Sequence, residues 1–320
     1  MKVDKNTFFR CINKFDTIPF LQSKGWLESA SIDNIEYFVD SDVDPNVACW
    51  AIKTEHKIIG KKLIIESLCK KKNVAEKIIV KFLRSIIAEG YDSVYLSDIS
   101  EASPQMEIAL RRSGLKRPLA LGLCPMSIVV DCTQPFKFHR NWNRQVKKSR
   151  DNHNKFTVIQ NPSDKEIEDF VRLFNMLKDR KKLGFSISAQ QIKCLTDAGD
   201  FFLSFVYDPT GIPLCGRMTY VHNKHAYDVF AANSDRGLKE GAIYHNQEDL
   251  LVYLKDKGIL DFDYGRIPPG TNEMDNIYVS KSYSGGRPII YNGEWEFAKS
   301  NLKNWMYNFY RYAVRKSRRY

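Results

Sequence analysis

Two stretches of this 320-residue chain are written to one plan. FLRSIIAEGYDSVYLSD, Phe82 to Asp98, and LVYLKDKGILDFDYG, Leu251 to Gly265, each run an amphipathic helix into a glycine and then a strand whose end carries aspartate. Gly90 and Gly258 fall at corresponding points, where a left-handed residue closes a helix. A helix–strand unit that occurs twice restricts the chain to an α/β architecture with mixed sheets and reads as an internal duplication. Two unrelated units remain the alternative, because the pair is common in α/β chains. The length is generous for one core and comfortable for two domains.

The flanking segments follow the same grammar. In the first half, apolar alternation predicts strands around Ile35–Val39, Ala48–Thr54 and Lys61–Leu68, a helix from Cys69 to Gly90, a strand over Ser93–Ser100, a helix over Glu107–Arg117 stopped at Gly114, and a strand over Pro125–Cys132. In the second, Phe201–Asp208 and Cys215–Asn223 form a hairpin, His225–Asn233 adds a strand, and Gly241–Gly258 is a helix. The predicted division is 1–138 for the first domain, 139–294 for the second and 295–320 for a C-terminal basic helix. That helix spaces Leu302, Trp305, Phe309 and Ala313 as a face to dock on the first domain, with a membrane-surface helix as the alternative.

Charge and cysteine usage narrow the partners. The net charge is +11, and after Glu296 no acid occurs while seven lysines and arginines do. A second basic cluster, RNWNRQVKKSR, fills Arg140–Arg150. Such asymmetry suits a polyanion, whether RNA, a nucleotide phosphate or an anionic membrane, although a solvated helix face fits each cluster alone. Seven scattered cysteines, odd in number and never spaced as CxxC, argue for reduced thiols in a cytoplasm and against disulfides or a zinc cage. The start, MKVDKNTFF, has no apolar run behind its charges, so no secretory signal is expected. His222 and His225 lie in a hairpin and read as structural; no metal is expected.

The stretch DFDYGRIPPG, Asp261–Gly270, predicts a short strand that breaks into a loop, with one lysine, Lys281, before Gly285 and Gly286. Strand ends of this kind place binding groups in α/β proteins, and a solvated surface loop fits the residues equally well. The first-half order of hairpin, basic turn, helix, strand and a helix ending RRSGLK resembles the unit of GNAT-type N-acetyltransferases. That fold offers a glycine-rich turn and a helix N-terminus to a cofactor pyrophosphate. Here Lys70–Ala75 reads KKKNVA, with Asn73 in a glycine place, and RGLKEGA, Arg236–Ala242, matches in part; both count against acyl-CoA.

Two tandem units with particular words in order resemble the FemABX family. PFLQSKGW, Pro19–Trp26, is similar to its opening. Gly114–Thr133 leading into Arg140–Arg150 is similar to its strand and Arg-rich helix, MLKDRKKLGF to its arginine-x-glycine word with Lys182 for the arginine, and DFDYG with SKSYSGG to its Asp-Phe-Gly and Phe-Lys words, with Ser280 for the phenylalanine. The resemblance implies two GNAT-like acyltransferase domains and an aminoacyl-tRNA-dependent transferase acting on the amine of a peptidoglycan precursor or another nucleotide- or lipid-linked acceptor, without a bound cofactor; peripheral contact with the inner membrane surface is a further expectation. An acyl-CoA or acyl-carrier donor, and a non-catalytic RNA- or membrane-binding role, are the other readings. Lys281 is the candidate to stabilise the developing anion, and Asp98 and Asp263, at equivalent strand ends, to accept the amine proton. Arg144, Lys147, Lys148, Arg266 and Tyr283 are candidates to hold phosphate and substrate. Helix-capping aspartates and a solvated lysine are the structural alternatives.

Overall fold

The computed structural model describes residues 1–30, 32–57, 59–118, 123–267 and 276–317. The predicted break at Pro268, Pro269 and Gly270, the polar run from Thr271, and the basic ends Arg318 and Arg319 lie outside the described residues. The chain divides into two compact units: Met1–Leu27, Ser31–Met126 and Ile289–Tyr320 in the first, Glu28–Ala30 and Ser127–Pro288 in the second.

In the first unit Asp4 accepts from the Asn6 and Thr7 amides and so starts the helix Lys5–Ile12. Strands Lys2–Val3, Ile35–Val39, Val47–His56 and Gly60–Glu66 lie antiparallel in that order. The helix Glu76–Ala88 then crosses over and delivers Ser93–Glu101 parallel to Gly60–Glu66. Ile79, Phe82, Leu83 and Ile86 form the buried stripe of that helix, and Gly90, at φ +93°, ends it as predicted. The next helix begins at Pro104 rather than Glu107. Ser103 caps it by accepting from the Met106 amide, and proline suits the first helical position. The strand Arg287–Ala298 closes this sheet, antiparallel to Ser93–Glu101.

The second unit repeats the plan. Lys155–Ile159, Phe201–Tyr207, Pro213–His222 and His225–Asn233 lie antiparallel in order. The helix Ala242–Asp256 crosses over, Gly258 turns left-handed at φ +73°, and Asp261–Asp263 runs parallel to His225–Asn233. Met126–Asp131 completes the sheet, antiparallel to Asp261–Asp263. The two units therefore share one order of strand directions and one parallel crossover. In each, the closing strand is written beside the other unit: Met126–Asp131 follows the first unit's helices, and Arg287–Ala298 follows the second's. For that reason the observed division falls after Met126 and Pro288 and not at 138 and 294.

Two helices absent from the sequence reading, Asp164–Lys181 and Ala189–Asp197, belong to the second unit. The longer one opens on a capping box between Ser163 and Glu166. The C-terminal helix Asn301–Ser317 belongs to the first unit, but at Leu302, Trp305 and Phe309 the predicted docking face is reversed, and the Ala313 side chain lies outside what the structure describes. Leu302, Trp305 and Phe309 are 69%, 56% and 62% exposed, whereas Asn304 and Asn308 donate to the buried Glu296 carboxylate and Tyr307 accepts from Lys62. Glu296 explains the reversal, because a buried carboxylate must be hydrogen-bonded and the asparagine face supplies the donors.

Candidate active site in the second unit

Asp261–Asp263 pairs with His225–Asn233 only as far as Tyr227 opposite Asp263. Asp228 is the first residue past the end of this parallel ladder. The chain then turns at Gly265, whose φ of +73° and absent side chain let it run close beside the Asp228 carbonyl; a Cβ there would lie 3.3 Å from that oxygen. On the neighbouring strand Arg217 reaches Asp228 in a buried ion pair. Lys281 Nζ lies 3.6 Å from Asp228 Oδ2, donates to the Tyr264 carbonyl oxygen at 3.1 Å, and sits 5.2 Å from the centre of the Tyr264 ring.

Lys281 was expected on a glycine-flanked loop; it lies instead in the helix Asn276–Ser282. Side-chain bonds run along this segment. Ser280, Ser282 and Ser284 hydroxyls donate to the carbonyls of Ile277, Val279 and Lys281, and Gly285 turns left-handed just beyond. The lysine is thereby held on a short helix with about a fifth of its side chain (22%) exposed. Burial lowers its pKa from the ordinary 10.5, Asp228 opposes that shift and Arg217 adds to it.

The cluster has donors and acceptors to spare. Arg217 Nε, Thr219 Oγ1 and Asp228 Oδ1 are buried without a hydrogen-bond partner among the described residues, and Thr219 faces Asp228 across the strand pair. Buried polar groups are paired as a rule, so these three unpartnered atoms on the strands beside Lys281 make the neighbourhood a candidate place for a polar ligand or water. Arg217, Thr219 and Asp228 were missed by sequence reasoning. Each reads as one more polar residue in a hairpin, and only the register brings them to the strand end.

The remaining candidates divide. Asp263 belongs to this neighbourhood: its Oδ1 accepts from the Gly265 amide at 2.8 Å and from the Ser127 hydroxyl, so it ties the loop in place. Arg266 follows the same turn and is half-buried. Tyr283 stacks on His139 at 4.1 Å, on the segment leading into the helix Arg140–Asp151. Asp98 is in the first unit, wholly buried, and accepts from Ser67, Ser100 and Asn292. Burial would raise its pKa, but Lys70 and these hydrogen bonds prevail and hold it below the ordinary 3.8. A saturated, enclosed carboxylate of low basicity does not meet the expectation of a proton acceptor, and its position at the equivalent strand end serves the fold.

On the helix Arg140–Asp151, Lys147 pairs with Asp151, and Lys148 donates to the Lys239 carbonyl at 2.6 Å. Arg144 is exposed and has no hydrogen bond or ion pair among the described residues. The helix also covers the turn where a GNAT unit would receive pyrophosphate. Gly241, at φ +76°, lies so close to it that a Cβ would come within 2.3 Å of the Gln145 carbonyl. Ser149, His245 and Asp249 line up as a hydroxyl–imidazole–carboxylate chain, at 3.1 and 3.0 Å. Ser149 is fully buried, so this chain fastens two helices and presents no nucleophile. A hollow of about 370 Å³ beside Glu168, Arg172 and Met176 contains none of the candidates. Among the described residues no cluster of three His, Cys, Asp or Glu side chains could hold a metal ion.

No family model and no curated protein sequence matches the chain. Solved structures do. FemX superposes with a TM-score of 0.77 at 13% identity, covering 96% of this chain and 99% of its own. L-PGS from Bacillus licheniformis gives 0.67 at 14%, covering 97% of each chain. A tandem GNAT protein from the clavulanic acid biosynthesis pathway gives 0.51 at 8%, over 94% of this chain and 98% of that one. At these identities the likeness is one of fold, spans nearly every residue, and agrees with the repeated crossover unit. In fold, the chain is similar to FemX and to a tandem GNAT protein, with two units of one α/β plan.

Proposed function

We propose that the chain is an aminoacyltransferase that moves the aminoacyl group of an aminoacyl-tRNA onto the amine of a lipid- or nucleotide-linked acceptor. The observation that carries this reading is the Lys281–Asp228–Arg217 cluster, with its orphan polar atoms, at the end of the second unit's parallel ladder. The FemX and L-PGS folds support the class. The donor ester is already activated, so the reaction needs a neutral amine held close and a cation for the oxyanion. The amine nitrogen bonds to the ester carbon, the carbon–oxygen bond to the ribose breaks, and the amine proton ends on the departing ribose oxygen. Lys281, charged and aimed by Asp228 and the Tyr264 carbonyl, stabilises the oxygen that gains charge. Arg144 and the basic helix around it serve the polyanionic donor.

The turn at Gly241 favours this donor over acyl-CoA, since the Gln145 carbonyl stands where pyrophosphate would dock. In the first unit the equivalent helix opens on Glu76, paired with Arg112, which puts a carboxylate at the same place. The test supplies charged tRNA or acetyl-CoA together with amine acceptors and follows loss of the acyl group. Acyl loss from tRNA that depends on the acceptor supports the reading; turnover of acetyl-CoA alone overturns it.

A further inference from the structure

The helix Asn301–Ser317 is fastened to the first unit by its polar side and turns its apolar side outward. Leu302, Trp305, Met306 and Phe309 are spaced at i, i+3, i+4 and i+7, and all are about half exposed or more. Trp305 and Phe309 stack at 5.9 Å, which makes the stripe continuous. Apolar side chains this large seldom stand together in water unless something covers them.

The charge that the sequence gives this segment indicates what covers the stripe. From Lys299 to the end, seven lysines and arginines occur and no acid. We infer that this helix lies on an anionic lipid bilayer, with Leu302, Trp305, Met306 and Phe309 entering the headgroup boundary and the positive charge of the segment attracting it to lipid phosphates. RNA shares the charge complementarity, but Leu302 and Met306 offer a nucleic acid neither stacking nor hydrogen bonds, whereas a bilayer boundary takes all four. A second copy packed helix against helix would bring equal positive charge to this segment. No helix among the described residues is long and apolar enough to cross a membrane. This inference stands on the C-terminal helix alone and does not depend on the activity proposed for the second unit.

The test floats the full chain with vesicles of phosphatidylcholine, alone or mixed with phosphatidylglycerol. The wild-type chain floats with the mixed vesicles, releases at high salt, and loses Trp305 fluorescence to brominated acyl chains. Leu302→Glu/Phe309→Glu lowers vesicle affinity at least tenfold with an unchanged circular dichroism spectrum. Should that variant unfold, Trp305→Phe serves in its place, and the brominated lipids then quench no more than a soluble protein's background. Three results overturn the inference: no flotation with anionic vesicles, flotation that the double variant leaves intact, or a dimer in sedimentation that the same variant dissolves.

Discussion

Lys281 combines two properties that oppose each other in a folded protein. Burial disfavours its charge, and the proposed chemistry requires that charge. The sign follows directly: with a folded pKa below 10.5, the native chain binds fewer protons than the unfolded one between the two values, so the lysine costs stability at neutral pH and the cost vanishes as pH rises through that window. Lys281→Met is therefore expected to melt no lower than the wild type while turnover falls about a hundredfold or more, read from thermal midpoints and single-turnover rates. The alkaline limb of the wild-type rate profile should fall at lower pH than an ordinary lysine would give. Asp263 separates differently. Asn in its place still accepts from Gly265 and Ser127, so Asp263→Asn should fold and keep most of its turnover; a loss beyond about a hundredfold would return the proton to this carboxylate. Lys281 was legible because a lone lysine among glycines, serines and aromatics stands out in a sequence. Arg217 and Asp228 were not, since their partnership exists only through strand register.

At the scale of elements, the covered turn at Gly241 is the most exacting fit. Its left-handed φ and the Gln145 carbonyl at contact distance leave no room for a methyl group, so Gly241→Ala should cost at least about 1 kcal/mol in urea unfolding. Asp208 holds the hairpin turn before Pro213. Its burial would raise its pKa, but bonds from Thr210, the Ile212 amide and Arg236 bring it to about 2. The stability it contributes is present above pH 3.8 and lost as pH falls towards 2, and Asp208→Asn should make the acid transition shallower in a circular dichroism titration. Periodicity found the crossover helices and both glycine caps, because a buried stripe and a left-handed residue leave local marks. The helix Asp164–Lys181 carries one too, the Ser163–Glu166 capping box. The helix carrying Lys281 left none: serines and a β-branched valine argue against helix, and only the fold around it, with Lys281 bonded to the Tyr264 carbonyl, overrides that local preference.

The whole molecule is two copies of one crossover unit, each closed by a strand written beside the other. Duplication was visible in the sequence because helix, glycine and strand recur in order. The exchange of closing strands was not, since a strand's sequence does not state which sheet edge it joins. The copies have also diverged in what they hold at the strand end: a saturated Asp98 in one, a cluster with orphan donors and acceptors around Lys281 in the other. Chemistry is accordingly expected in the second unit, served by a polyanionic donor, with rates that fall as salt rises. The most direct measurement is acceptor-dependent release of a labelled aminoacyl group from charged tRNA by wild type and Lys281→Ala. The cluster predicts turnover by the wild type and a loss of about a hundredfold or more in the variant; equal turnover by both, or none from tRNA beside turnover of acetyl-CoA, would contradict it.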